Sequence, residues 1–323
     1  MSDCCKDVDD APPKGALLLF PGQGSQYVGM GSELVSKFPL AKERFAEADD
    51  ILKVNLFKTM ADGPEEVLQQ TEFAQPAIFT FSTLLYDLMV SEGLLPQVGA
   101  QNMFAAGHSL GEFSAVYAAG GYSFADGLRL VKRRSELMAE ACRAKPGKML
   151  AVTRVDIEVA EKRLADFQGG LEYGASLVLA NINSPKQVVV SGDACSIDAF
   201  AAHLTAEGVR AVPLKVAGAF HSPLMEVVLP EWKEAVSRVP FRPLRFPVIS
   251  NVVGEAVQES GKLNDLLAQQ LVSPVQWLKS MNFAINLGCE KFYEIGPGRV
   301  LAGLLVKINP SFFVQSAFTT LNA

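Results

Sequence analysis

Three residues in this sequence have types and surroundings suited to chemistry: a serine between two glycines, a histidine in a glycine- and proline-bounded loop, and an arginine on the apolar side of a helix. Ser109 lies in Gly107-His108-Ser109-Leu110-Gly111. Residues 103–106 form an apolar run long enough for a buried strand, and 112–118 have helix-compatible types with one apolar face. The serine therefore falls on a strand-to-helix corner. Glycines two before and two after it match the G-x-S-x-G elbow, which exposes a hydroxyl at the top of a parallel sheet, and the N–H groups of the next helix's first turn lie beside it. Ser109 and Glu112 equally fit a capping box, in which the hydroxyl only satisfies a helix terminus.

A nucleophilic serine needs a base, and the chain has three histidines. His203 belongs to an amphipathic helix, and His108 adjoins the serine on a corner expected to turn its side chain away. His221, in Gly218-Ala219-Phe220-His221-Ser222-Pro223, is left as the base. Hydrolases of the elbow type order serine, acid, histidine. Here the acids between positions 109 and 221 fall largely on the helix after the elbow or in a separate segment, so a dyad oriented by a backbone or amide carbonyl is expected.

Ser123 caps a predicted helix over 124–143. At 100° per residue Leu130, Val131, Leu137, Met138 and Ala141 share one face, with Arg134 in its middle, Lys132 pointing away and Arg133 near the edge. An inward arginine must meet an anion or bear a heavy desolvation cost. It is either a structural salt-bridge partner or a guanidinium awaiting a substrate carboxylate.

These residues need a scaffold to bring them together. A strand over 16–20 runs into Pro21-Gly22-Gln23-Gly24-Ser25-Gln26. The spacing fits neither a phosphate loop nor a dinucleotide fingerprint. As a turn it is structural, or it shares with the serine corner the rim where α/β sheets bind ligands. Helices are expected over 41–51 and 73–92, the second with Pro76 in its first turn. From 147 to 214 the pattern reads strand 149–153, helix 157–167, strands 177–181 and 188–191, helix 196–208 and strand 210–214. This βαββαβ order is ferredoxin-like and marks an inserted subdomain. Asn181-Ile182-Asn183-Ser184-Pro185 is a turn by composition, equally able to offer amide contacts to a ligand. Strands over 247–250 and 291–295, the turn Gly296-Pro297-Gly298 and a helix over 300–307 complete the larger sheet. Ser273-Pro274-Val275-Gln276-Trp277 is expected to open another helix. The expected division is a tail at 1–14, a large α/β domain from 15–146 and 215–323, and the small subdomain at 147–214.

Composition limits the function. The 323 residues are 49% hydrophobic and 20% charged, with 29 basic against 35 acidic side chains and a net charge of −6. With no basic stripe, nucleic-acid binding is not expected. No apolar run is expected to reach membrane-spanning length. Five cysteines without zinc-ligand spacing point to a reducing compartment. The tail is polar and acidic, unlike a secretory signal or an arginine-rich transit peptide.

Taken in order, 21–26, 107–112, 219–222, 273–277 and 296–298 resemble the malonyl-CoA:acyl carrier protein transacylases of fatty-acid synthesis, over about 14–316. The resemblance implies an α/β-hydrolase-like core with a ferredoxin-like insertion. It further implies Ser109 as nucleophile, His221 as base, the N–H groups of Gln23 and Leu110 as oxyanion donors, Arg134 as the malonyl carboxylate's partner and a carbonyl of Gln276 orienting His221. The partners would be malonyl-CoA and acyl carrier protein, which carries the phosphopantetheine. No metal or other cofactor, nucleic acid or membrane is expected, and the chain would act as a monomer. The cytoplasm is the expected compartment, or a plastid or mitochondrion after loss of a transit peptide. A polyketide-pathway acyltransferase using malonyl or substituted malonyl groups and a serine thioesterase are the alternatives. A binding module without activity would be expected to show a degraded dyad, and both members are present.

Overall fold

The structure, a computed structural model, describes residues 15–96, 98–170 and 175–322. The expected tail at 1–14, with Cys4 and Cys5, lies outside the described residues. Ten strands form among them: β1 (Gly15–Phe20), β2 (Met103–Gly107), β3 (Gly147–Thr153), β4 (Leu177–Ser184), β5 (Gln187–Asp193), β6 (Arg210–Pro213), β7 (Val248–Ile249), β8 (Ala256–Val257), β9 (Cys289–Glu294) and β10 (Val314–Ser316). The apolar runs at β1 and β2 are buried at every position, as expected for parallel strands covered on both faces. They lie side by side in a six-stranded sheet of order β10-β9-β1-β2-β7-β8. Every neighbouring pair is parallel except β7 with β8 at one edge. The chain is therefore α/β.

The helix Thr71–Ser91 packs against this sheet's helices from within. It begins at Thr71 rather than 73, which places Pro76 inside the helix instead of in its first turn. Contrary to the expectation for apolar runs, its 21 residues are long and apolar enough to cross a membrane, but 83% of the apolar window is buried in the protein. It is a core helix. Alongside it runs Phe124–Ala144, whose N-terminus is capped as expected, with the Ser123 hydroxyl accepting from the Asp126 N–H at 3.1 Å.

The second sheet has the order β4-β5-β3-β6 with every pair antiparallel. Alternation along β3 divides its side chains between two faces. Leu150 and Val152 pack with Leu164 and Phe200 of the helices Ile157–Gln168 and Ala194–Ala206. Met149 and Ala151 face the other way, into the main core and its cleft. β4 continues to Ser184, so 181–184 is strand and not the turn its composition suggested. The cause is tertiary: the Ile182 N–H donates to the Val275 carbonyl at 3.0 Å, and the Val275 N–H to the Ala180 carbonyl at 2.8 Å. Val275 accordingly pairs with Asn181 of β4 in an isolated parallel bridge, and the helix expected to open at 273–277 starts only at Trp277.

Candidate active site

The serine corner is built by crowding. A Cβ on Gly107 would sit 1.8 Å from the Gly111 carbonyl carbon, and one on Gly111 would sit 1.9 Å from the Phe20 carbonyl oxygen. Both positions demand glycine because backbone approaches backbone. Between them Ser109 takes φ 52°, a left-handed conformation that surrounding structure must enforce. Asn251 supplies part of that enforcement. Its side-chain oxygen accepts from the Ser109 N–H at 2.7 Å, and its amide donates to the Gly107 carbonyl at 2.6 Å. The helix Gly111–Ala118 begins with no side-chain cap, so the capping box does not form. The serine hydroxyl instead meets His221 Nε2 at 2.7 Å. Glu112 accepts from the Asn251 N–H at 3.1 Å and from Gln270 Nε2 at 2.6 Å.

His221 is 3% exposed and has φ 57°. Its Nδ1 lies 3.0 Å from the Gln270 carbonyl oxygen and 3.1 Å from that of Ser273. Both are acceptors only, so Nδ1 carries the hydrogen and Nε2 is free to take the serine proton. Burial first, and then the Arg134 charge, push the imidazole down to about 3, against the pull of the two carbonyls. At neutral pH it is a free base. The orienting carbonyl expected from Gln276 is not used in this way. Gln276 caps the helix Trp277–Asn286, and its carbonyl is occupied by the N–H and hydroxyl of Ser280, each at 2.9 Å.

Arg134 is 1% exposed. Its Nη1 donates to Gln75 Oε1 at 2.8 Å, and its Nη2 to Gln270 Oε1 at 2.9 Å and to Ser109 Oγ at 3.3 Å. Among the described residues it has no ion pair, and its Nε has no partner. The salt-bridge alternative is thus not realised. Two neutral amide oxygens hold the guanidinium beside the nucleophile, and the Phe113 ring lies 5.2 Å below it. Burial pushes it down to about 9, with the Glu112 charge opposing, so it stays cationic at neutral pH.

A cavity of about 230 Å³ joins these groups, lined by Gln23, Ser109, Leu110, Arg134 and His221, with Asn181, Asn183 and Met149 contributed by the second sheet. Among the described residues neither the Gln23 nor the Leu110 main-chain N–H donates to a protein acceptor. His108 departs from expectation. Its side chain lines this cavity, bonds Asn183 Oδ1 through Nε2 at 2.8 Å and packs against Trp277. His203 sits on the surface beside Glu207.

Residues 17–308 match the family model described as "Acyl transferase domain". The chain belongs to that acyl transferase family. It is 42% identical over 293 residues to the malonyl CoA-acyl carrier protein transacylase of Bacillus subtilis, covering 90% of this chain and 89% of that one. The crystal structure of the Synechocystis malonyl-CoA:ACP transacylase superposes with a TM-score of 0.84 at 37% identity, over 95% of this chain and 99% of that one. A malonyl-transacylase in complex with its type II PKS acyl-carrier protein superposes with a TM-score of 0.87 at 32% identity, over 95% and 99%.

Sequence reasoning missed four residues of this acyl transferase site: Gln75, Glu112 as a buried acceptor, Asn251 and Gln270. Gln75 and Gln270 carried a usable signal, since each is a polar side chain among apolar neighbours on a buried helix face, the same signal that singled out Arg134. Asn251 and Glu112 carried none, because their partners are 139 or more positions apart in the chain.

Proposed function

We propose that the protein transfers a malonyl group from malonyl-CoA to the phosphopantetheine thiol of acyl carrier protein through a malonyl ester on Ser109. His221 Nε2 takes the hydroxyl proton as Ser109 Oγ attacks the thioester carbonyl. The N–H groups of Gln23 and Leu110 stabilise the oxyanion. As the C–S bond breaks, His221 returns the proton to the CoA sulfur, leaving malonyl-serine and free CoA. The carrier's thiol then attacks the ester, and the same groups run the sequence in reverse. The chain's own groups and the two thiols carry every proton and acyl transfer, so we assign no cofactor. We assign residues 15–146 and 215–323 to the catalytic body and 147–214 to a subdomain forming the cleft's second wall. The bacterial relatives support a cytoplasmic location; an organelle as the alternative compartment, action as a monomer and no role for nucleic acid or membrane are our own assignments.

Arg134 is the observation that carries this reading. A cation held by neutral amides 3.3 Å from the nucleophile is completed by an acyl group with its own carboxylate, and a thioesterase for simple acyl chains has no use for it. Removing one partner of a buried charge pair costs about 2–5 kcal/mol. Arg134→Ala should therefore collapse malonyl transfer while sparing acetyl transfer, and Arg134→Lys should restore it only in part, since an ammonium lacks the planar fork. The measurement is the ratio of malonyl to acetyl transfer rates onto a carrier protein. Equal loss of both rates in a folded Arg134→Ala variant would reject the assignment, and faster transfer to water than to the carrier thiol would favour the thioesterase.

A further inference from the structure

Gln270 contacts Ser109, His221 and Arg134. Its main-chain carbonyl accepts from His221, its Oε1 accepts from Arg134 at 2.9 Å, and its Nε2 donates to the Ser109 carbonyl at 2.9 Å and to Glu112 Oε2 at 2.6 Å. The polarity of that amide follows from its partners. A guanidinium only donates and a peptide carbonyl only accepts, so oxygen faces Arg134 and nitrogen faces Ser109. The second hydrogen on Nε2 then requires an acceptor, and Glu112 provides it.

Glu112 is itself fully buried. One carboxylate oxygen accepts from Gln270 and the other from the main-chain N–H of Asn251, with the Ser250 hydroxyl also in reach. Asn251 is the residue that braces the serine turn. Only a carboxylate presents acceptors on both sides to two fixed donors. An amide here has one oxygen, and its NH₂ must confront one of them. The main-chain N–H cannot move, so the mismatch falls on the Gln270 side chain.

We infer that Glu112 is a positioning residue for acyl-group selection: by accepting from Gln270 Nε2 it locks the amide that aims Arg134 at the substrate carboxylate. This inference rests on the malonyl-transfer reading above. It also explains how the arginine can be cationic and buried yet open to a ligand. Glu112 acts on it through Gln270 rather than by an ion pair, and Nη2, which donates to Gln270, also reaches Ser109 Oγ at 3.3 Å, so the cation faces the nucleophile without a carboxylate partner of its own among the described residues.

The test is Glu112→Gln, close in volume and hydrogen-bonding reach. The ratio of malonyl to acetyl transfer should fall at least tenfold, with most of the change in KM for malonyl-CoA. In an Arg134→Ala background the same substitution should change that ratio less than twofold, because its route of action is gone. A crystal structure of Glu112→Gln should show Gln270 Oε1 withdrawn from Arg134 Nη2 beyond hydrogen-bonding distance. Equal loss of malonyl and acetyl transfer, an undiminished effect without Arg134, or an unchanged Gln270–Arg134 contact would each overturn the inference. If Glu112→Gln does not fold, Gln270→Met tests the same arm, since it keeps the main-chain carbonyl for His221. It should lower malonyl transfer at least tenfold more than acetyl transfer, and equal loss overturns the inference. Should Arg134→Ala itself leave the ratio unchanged, the malonyl reading has failed, while the Gln270–Arg134 separation in the Glu112→Gln structure still decides whether Glu112 positions the amide.

Discussion

The two sheets meet at one cleft and contribute in different ways. The six-stranded sheet brings its parallel strands β1 and β2 to the same rim, where the chain turns at Gln23 and at Ser109, and backbone crowding leaves no room for side chains at Gly107 or Gly111. The four-stranded sheet supplies a wall. Met149 and Ala151 come from one face of β3, and Asn181 and Asn183 from the edge strand β4. Parallel strands end together, so groups distant in sequence converge on one edge. Antiparallel strands alternate their side chains, so one face can serve the sheet's own helices while the other lines a cavity. Reactivity is therefore set by main-chain geometry at the first sheet and shape by side-chain choice at the second.

That contrast predicts a steep gradient of tolerance across the cleft. At its sharp end, Ser109→Ala should leave the fold intact and abolish the malonyl adduct, read as intact mass after mixing with malonyl-CoA. An adduct at the wild-type rate would move the nucleophile elsewhere.

His221→Ala comes next, at about 10²–10⁴-fold in both half-reactions, with His203→Ala near wild type. Because the folded imidazole is held down to about 3, wild-type acylation should not fall between pH 8 and 5 through loss of this base. The same depression has a signed effect on stability. The unfolded chain binds a proton near pH 6.5 that the folded chain refuses until about pH 3, so stability attributable to His221 is present above 6.5 and lost as pH falls between these values. Chemical denaturation of wild type and His221→Ala should diverge in that window, with the variant less sensitive to acid. A parallel pair of curves would contradict the depressed value.

Gly107→Ala probes the crowding directly. A Cβ placed 1.8 Å from backbone cannot be absorbed by a rotamer change, so the variant should lose more than about 3 kcal/mol, measured by denaturant midpoint. The opposite wall should respond least. Met149→Leu, a volume-conserving change in the cleft-facing row of β3, should cost less than about 1.5 kcal/mol and leave malonyl transfer within a few-fold of wild type. If Met149→Leu proved as damaging as Gly107→Ala, the division between a geometric and a compositional wall would not hold.

What the amino-acid sequence determined unaided was whatever has a local period or a local steric signature. The apolar runs of β1 and β2, the glycine spacing around Ser109, the inward position of Arg134 on Phe124–Ala144 and the order of strands and helices over 147–213, though not the strand at 181–184, were legible, because each depends on residues a few positions apart. Tertiary structure decided the partners. Nothing near Arg134 indicates that Gln75 and Gln270 hold it, since those residues are 59 and 136 positions away. The resemblance put the carbonyl that orients His221 on Gln276, whereas those of Gln270 and Ser273 face the imidazole, and 273–277, expected to open a helix, instead holds Val275 paired with β4. Main-chain acceptors have no sequence signature of their own. Every residue but proline carries the same donor, and every residue the same acceptor, so which carbonyl meets a buried side chain is settled only when the chain has packed.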